Sequence, residues 1–226
     1  KTSLKWSERM GMMKRSSVWK KGLALLMSVC MTITAAAFGT ASALAAELEE
    51  PLGTIAEVFP DPNLAQMIAE IMGRTVEDPV TAPELESMPE LNGNNREIYS
   101  LEGMQYVKRA VSAYFMGNHI TDLRPVKDLT VSTPRGIRFT FQTVEYEPVQ
   151  LKNGRVSVKN PFVDKTLLPT YGLISDITDG GIYNIFTNSV DFYGLSGEGS
   201  VSYLVNGYYT NVGPFYSCTV TQPYYE

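Results

Sequence analysis

Hydrophobic residues along this chain keep three different periods in turn. Between 61 and 73 the spacing is helical. Leu64, Met67, Ile68 and Ile71 fall three or four residues apart and form one apolar face. Asp61 suits the cap, Pro62 the first helical position and Gly73 the residue past the end. A second, shorter helix is predicted from Thr81, with Glu84 at the capping-box spacing. Between 98 and 130 the period lengthens. Ile98, Leu101, Met104 and Val107 are each followed 22 residues later by Ile120, Leu123, Val126 and Leu129. From 131 onward the period is two. Arg138 to Thr143 alternate, which predicts Phe139 and Phe141 on one face. Val149 and Leu151 are expected to meet Val156 and Val158 across an Asn153-Gly154 hairpin turn. Val201, Tyr203 and Val205 lead into a second Asn-Gly pair, Asn206-Gly207, followed by Tyr208 and Tyr209. Asp179-Gly180-Gly181 marks a further turn. Short strands between such turns read as a β-sandwich. The absence of a Cys…Trp…Cys pattern excludes a disulfide-pinned immunoglobulin domain.

The middle segment reads Ala110-x-x-Ala113-x-Phe115-x-x-Asn118-x-Ile120-x-x-Leu123, a leucine-rich-repeat pattern. Its physical content is a short strand, a turn and a tight return. Ala113 and Phe115 point into the core, and the Asn118 amide bonds backbone groups that the turn leaves unpaired. Met88, Leu91 and Ile98 stand 22 residues before Ala110, Ala113 and Ile120, so the lattice reaches back into the preceding segment. Residues between the inward positions line the concave face of such a stack. Ser112, Tyr114 and Met116 are predicted there, with Glu90 and Asn92 on the preceding strand. His119 takes a variable surface slot of the repeat. Tyr114 and Met116 are side-chain types that favour protein contact, and these six residues are the candidate partner-binding set.

Charge divides the chain further. Residues 1–46 carry seven Lys/Arg and one Asp/Glu, whereas 47–226 carry twelve and twenty-three. Lys14, Arg15, Lys20 and Lys21 precede an apolar run from Leu23, and Ala43-Leu44-Ala45 offers a cleavage site. That sequence of features reads as an export signal cut near Ala45 or Ala46. A lasting transmembrane helix is the competing reading, because Gly22 to Ala46 is uncharged and long enough to span. The Ala/Ser/Gly/Thr-rich second half weighs against it. The expected organisation is therefore a signal region at 1–46, an acidic helical cap at 47–97, the repeat at 98–130 and the sandwich at 131–226.

Little catalytic material is present. The two cysteines Cys30 and Cys218 exclude a disulfide framework, and with a single histidine there is little material for multi-His or multi-Cys zinc sites or a His-based triad. No D-x-D-x-D-G loop supports calcium binding. An acidic body argues against nucleic acid. No enzyme activity, cofactor or metal is expected. Cys218 is expected to be a buried thiol in a strand. Tyr203, Tyr208, Tyr209, Phe215, Tyr216, Tyr224 and Tyr225 would be core and cross-strand residues, or else a sugar-stacking face in a carbohydrate- or cell-wall-binding module.

Three pieces in this order resemble the internalin-type bacterial surface proteins. Val58-Phe59-Pro60-Asp61, Leu64, Ile68, Asp78-Pro79-Val80-Thr81 and Leu85 resemble the family's helical cap. Asn118-His119-Ile120-Thr121-Asp122-Leu123-Arg124-Pro125-Val126 resembles its N-x-I-T-D-I-x-P-L unit. Asn160-Pro161, Ile177 to Tyr183 and Thr219-Val220-Thr221-Gln222-Pro223 resemble its immunoglobulin-like domain. The resemblance implies an α+β architecture: a short leucine-rich-repeat stack with a helical N-terminal cap, fused to an immunoglobulin-like β-sandwich. It also implies a secreted or surface adhesin-like protein that binds another protein, such as a host receptor, and is wall-attached where the full-length protein carries an anchor. The chain departs from the pattern in having Ala110 and Ala113 where Leu is usual and few repeats.

Overall fold

The computed structural model describes residues 50–133, 136–162, 174–207 and 215–226. The expected export signal lies outside the described residues.

Local capping starts the chain. Strand β1 (Gly53–Thr54) leads into α1 (Ile55–Val58). Thr54 N–H donates to Glu57 Oε2 at 2.8 Å while Glu57 N–H donates to Thr54 Oγ1 at 3.2 Å, a reciprocal capping box. Helix α2 (Pro62–Met72) begins and ends as its sequence predicts. Asp61 Oδ1 accepts from the N–H groups of Asn63 and Leu64, and Gly73 closes the helix at φ 65°, where a Cβ is disfavoured. Leu64, Met67 and Ile68 are buried, and Ile71 is half-buried. Strand β2 (Pro79–Val80) pairs antiparallel with β1. Helix α3 (Ala82–Glu86) follows Thr81, whose N–H and hydroxyl both donate to Glu84.

The 22-residue lattice becomes two ladders of short parallel strands. β3 (Ser87–Met88), β5 (Arg109–Ala110) and β7 (Thr130–Val131) form one. β4 (Leu91–Asn92), β6 (Ala113–Tyr114) and β8 (Ile137–Glu145) form the other. Met88 aligns with Ala110 and Leu91 with Ala113, the spacing read from the sequence. All eight matched apolar residues between Ile98 and Leu129 are buried. Returning segments carry 3₁₀ turns at Met104–Tyr106 and Arg124–Val126. At the next step the offset grows to 24, with Ala113 opposite Ile137.

One outward residue of the candidate set turns in. Ser112 is 2% exposed. The chain bends at Val111 between β5 and β6, so simple alternation does not continue across the two strands. Val111 takes the solvent side at 49% exposure and Ser112 the inner one.

β8 belongs to the repeat and to the remainder of the fold at once. After it come β9 (Val149–Gln150), β10 (Arg155–Lys159), β11 (Ile174–Ser175), β12 (Ile182–Asn184), β13 (Ser189–Tyr193), β14 (Gly199–Gly207) and β15 (Phe215–Tyr225). The large sheet runs β11-β14-β15-β8-β6-β4, so the parallel repeat ladder continues through β8 into the C-terminal strands. β9 joins the end of β15. A smaller sheet runs β10-β13-β12. Phe139, Val201, Tyr203, Val205 and Val220 from the large sheet, and Val158, Val190 and Phe192 from the small one, are buried in one core. Tyr203 and Tyr146 hydroxyls donate to the Lys159 carbonyl at 2.9 and 3.0 Å and tie the layers at that end.

Three strand-level expectations are corrected. Asn153 and Gly154 do form a left-handed turn, with φ of 57° and 67° and Lys152 N–H donating to the Arg155 carbonyl. The flanking strands nevertheless separate: Val149 pairs with Tyr224 and Val156 with Phe192, because each sheet supplies its own partner. Asn206-Gly207 is not a turn. It continues β14 as far as Gly207 opposite Tyr216, where a Cβ would lie 3.1 Å from that of Tyr216. Phe139 and Phe141 do not share a face either, since a β-bulge intervenes.

Candidate recognition face

Two of the candidate residues, Asn92 and Tyr114, share a register position across β4 and β6. Asn92, Tyr114 and Arg138 form one lateral row. The rungs are Gly93 N–H to the Tyr114 carbonyl at 2.8 Å and Phe115 N–H to the Arg138 carbonyl at 2.9 Å. Met116 lies two residues along β6's path, its N–H held by Asn94 Oδ1 at 2.8 Å. Glu90 and Asn92 are exposed, and Tyr114, Met116 and Arg138 are half-buried. Ser112 is absent from this face for the reason given above.

Phe141 joins the face against expectation. Tyr216 pairs with Phe139 and Cys218 with Gln142, so Thr140 and Phe141 together oppose Ser217. The extra residue leaves Phe141 at φ 61° and 72% exposed, its N–H donating to Ser217 Oγ at 2.9 Å. Left-handed backbone is costly for a bulky side chain. The return for it lies next door. The bulge turns Gln142 inward, where Nε2 donates to the Phe115 carbonyl at 2.7 Å and Oε1 accepts from Ile120 N–H at 2.9 Å. Gln142 thus acts as the next amide after Asn118. The buried Asn118 itself accepts from Arg96 and Ile98 N–H and donates to the Gly93 and Phe115 carbonyls. Strict alternation through 138–143 hid both roles; a glutamine 24 residues after the ladder asparagine was the available signal.

His119 sits elsewhere, in a groove of roughly 770 Å³ lined by Tyr99, Thr121, Thr143, Glu145, Pro161, Thr219 and Thr221. Its Nε2 is 2.8 Å from Glu97 Oε2 and its Nδ1 2.9 Å from the Thr143 carbonyl. Its ring stacks on Tyr99 with centroids 4.3 Å apart. It is a half-buried, partnered residue joining the repeat to β8. Burial pushes the Cys218 thiol up to about 11 and raises the Tyr203 phenol above its usual range, so neither is a nucleophile at neutral pH. Among the described residues no group of three His, Cys, Asp or Glu is placed to hold a metal. No helix among them is long and apolar enough to cross a membrane.

Residues 41–86 match a family described as the N-terminal part of bacterial adhesion/invasion proteins of internalin type. Over 96 residues the chain is 33% identical to Internalin C of Listeria monocytogenes, which is 42% of this chain and 32% of that protein. Over its cap the chain is similar to internalin-type proteins. Among solved structures, the second CBM51 and INT domains of Clostridium perfringens ZmpB match with a TM-score of 0.50 and 15% identity, covering 74% of this chain and 36% of that one. The functional domain of InlJ from Listeria monocytogenes matches at a TM-score of 0.44 and 22% identity, covering 62% and 31%. The chain spans about a third of the length of the relatives it matches.

Proposed function

We propose that this chain is a non-catalytic recognition module, exported through its N-terminal signal and acting at the bacterial surface or after secretion. The adhesion/invasion family its cap matches supports that role. Its partner is a protein, with a host receptor the class that family membership implies. The two packed sheets after the repeat are read as the family's immunoglobulin-like sandwich, which shares β8 with the repeat and so fixes the repeat's last edge.

One observation supports the assignment of the face: Asn92, Tyr114 and Arg138 align in one row across β4, β6 and β8, with half-buried Met116 and exposed Phe141 farther along the last two chain paths. Aromatic, thioether and guanidinium side chains are those enriched in protein interfaces. His119 is the outlying member, reached only by a partner that also enters its groove. A carbohydrate platform is not favoured, because Tyr203 and Tyr216 are buried core residues. The test is capture of the partner with the full chain, followed by the double substitution Tyr114→Ala with Met116→Ala. Binding should weaken at an unchanged melting temperature. Equal affinity would move the site off this face.

A further inference from the structure

The described arginines of this acidic chain find partners within it, with one exception. Arg74 reaches Glu84 and the Pro79 carbonyl, and Arg124 lies against Asp122. Arg96 is 2.9 Å from Glu70 and Arg109 is 3.0 Å from Glu86. Arg155 holds its guanidinium 5.1 Å from the Tyr193 ring. The exception is Arg138. Its guanidinium makes no hydrogen bond or ion pair among the described residues, although residues 47–226 hold twenty-three acids. Arg138 is half-buried on β8, in one row with Tyr114 and Asn92 and three residues before the exposed Phe141. The acid of this face, Glu90, belongs to the β4 path, and β6 runs between β4 and β8. Two strand spacings put about 10 Å between those paths, beyond the reach of an ion pair.

Unmatched donors restrict what can cover them. A guanidinium carries five N–H groups in a planar fork. A partner that buried Arg138 without supplying an acceptor would take those groups from water and leave them unpaired, which is costly. The face therefore discriminates against a purely apolar cover and favours one that brings an acceptor. A carboxylate matches the fork two bonds at a time. Half-burial of the side chain also limits the freedom lost on pairing. A polyanion is a poorer match, because it is held by several free cations at once and is repelled by an acidic body. We propose, on the reading that a protein docks on this face, that Arg138 is its specificity-determining residue: it takes an Asp or Glu carboxylate of the partner, while Tyr114, Met116 and Phe141 take the apolar groups flanking that acid.

The probe is a library of random peptides displayed on phage and selected on the full chain. Selected peptides are then labelled and titrated by fluorescence anisotropy. They should share an Asp or Glu beside aromatic or leucine residues. Arg138→Gln should weaken their binding at least about tenfold, as loss of a charge-assisted hydrogen bond does, at an unchanged melting temperature. Replacing the shared acid of the peptide with its amide should weaken binding to the unaltered chain by the same factor and binding to Arg138→Gln no further. Arg138→Lys keeps the charge and loses the fork, so its affinity should fall between the two. The substitution pair Tyr114→Ala with Met116→Ala separates two failures. Peptides indifferent to that pair and to Arg138→Gln bind elsewhere, which overturns the face and the proposal together. Peptides that respond to the pair but not to Arg138→Gln, or that share no acid, leave the face standing and overturn the role of Arg138.

Discussion

Asn118 and Gln142 donate to the same acceptor, the carbonyl of Phe115, from amides 3.0 and 2.7 Å away. Both side chains are fully buried. Each also accepts from the strand return beside it, Asn118 from Arg96 and Ile98 N–H and Gln142 from Ile120 N–H. Two successive turns of the stack are thereby braced through one peptide unit.

Replacing either amide with alanine strands buried backbone groups, each worth about 1–3 kcal/mol when unsatisfied. Asn118→Ala should cost about 3 kcal/mol and Gln142→Ala about 2, measured by urea unfolding of the full chain. The shared acceptor makes the pair non-additive, so a double-mutant cycle should return a coupling above about 0.5 kcal/mol. Strict additivity would show that the two turns are braced independently.

How much of this was legible in the sequence depends on whether the information is local. The α2 cap, the Thr81 capping box and the 22-residue lattice rest on contacts within a few residues or on an exact repeat, and the structure reproduces them. Asp61 shows the limit. Its role toward Asn63 and Leu64 follows from position, but its second oxygen accepts from Tyr99 and Ser100 N–H at 2.7 and 3.1 Å, which no local pattern announces. Ser112 was misplaced because a bend between two strands resets alternation. Phe141 was misplaced because a bulge is decided by the partner strand β15, seventy-odd residues on. The Asn153-Gly154 turn was readable, but which sheet each flank joins depends on pairing elsewhere.

Acid should weaken the cap through one pair. The Arg74 guanidinium beside Glu84, reinforced by the N–H and hydroxyl of Thr81, holds that carboxyl at about 2. A carboxylate depressed in the folded state contributes stability that is present above its unfolded value near 4.5 and is lost as pH falls toward 2. The pair is about one-third exposed, so the contribution is screened and shrinks with salt. Melting temperature should therefore fall between pH 4.5 and 2, and Glu84→Gln should flatten that part of the curve. An identical pH profile in the variant would assign the acid sensitivity to other groups.

Phe141→Gly separates stability from recognition. Glycine adopts φ 61° freely, and the exposed ring packs on nothing that its exposure reveals. Stability should stay level or rise by about 1 kcal/mol, while binding of the captured partner should weaken. A loss of stability would mean that the ring shields the Ser217 bond, and unaltered binding would remove Phe141 from the recognition face.

Ending the chain at Thr130 tests whether the repeat can stand without β8. Ala113, Phe115 and Gly117 N–H donate to the carbonyls of Gly136, Arg138 and Thr140, and Ile120 N–H donates to Gln142 Oε1. Truncation removes all four acceptors along one edge. It also removes Phe139, whose ring stacks on Phe115 with centroids 5.4 Å apart, and Tyr216, whose hydroxyl donates to the Ile120 carbonyl. A stack this short buries too little apolar surface to keep an open edge, since repeat arrays hold together by nearest-neighbour interfaces and end caps. The chain through Thr130 should therefore show no cooperative thermal transition. The full chain should unfold in one step followed alike by far- and near-ultraviolet circular dichroism. A sharp transition in the truncated form at the full chain's temperature would show that cap and repeat are a self-sufficient unit, and that β8 seals an edge that did not need sealing.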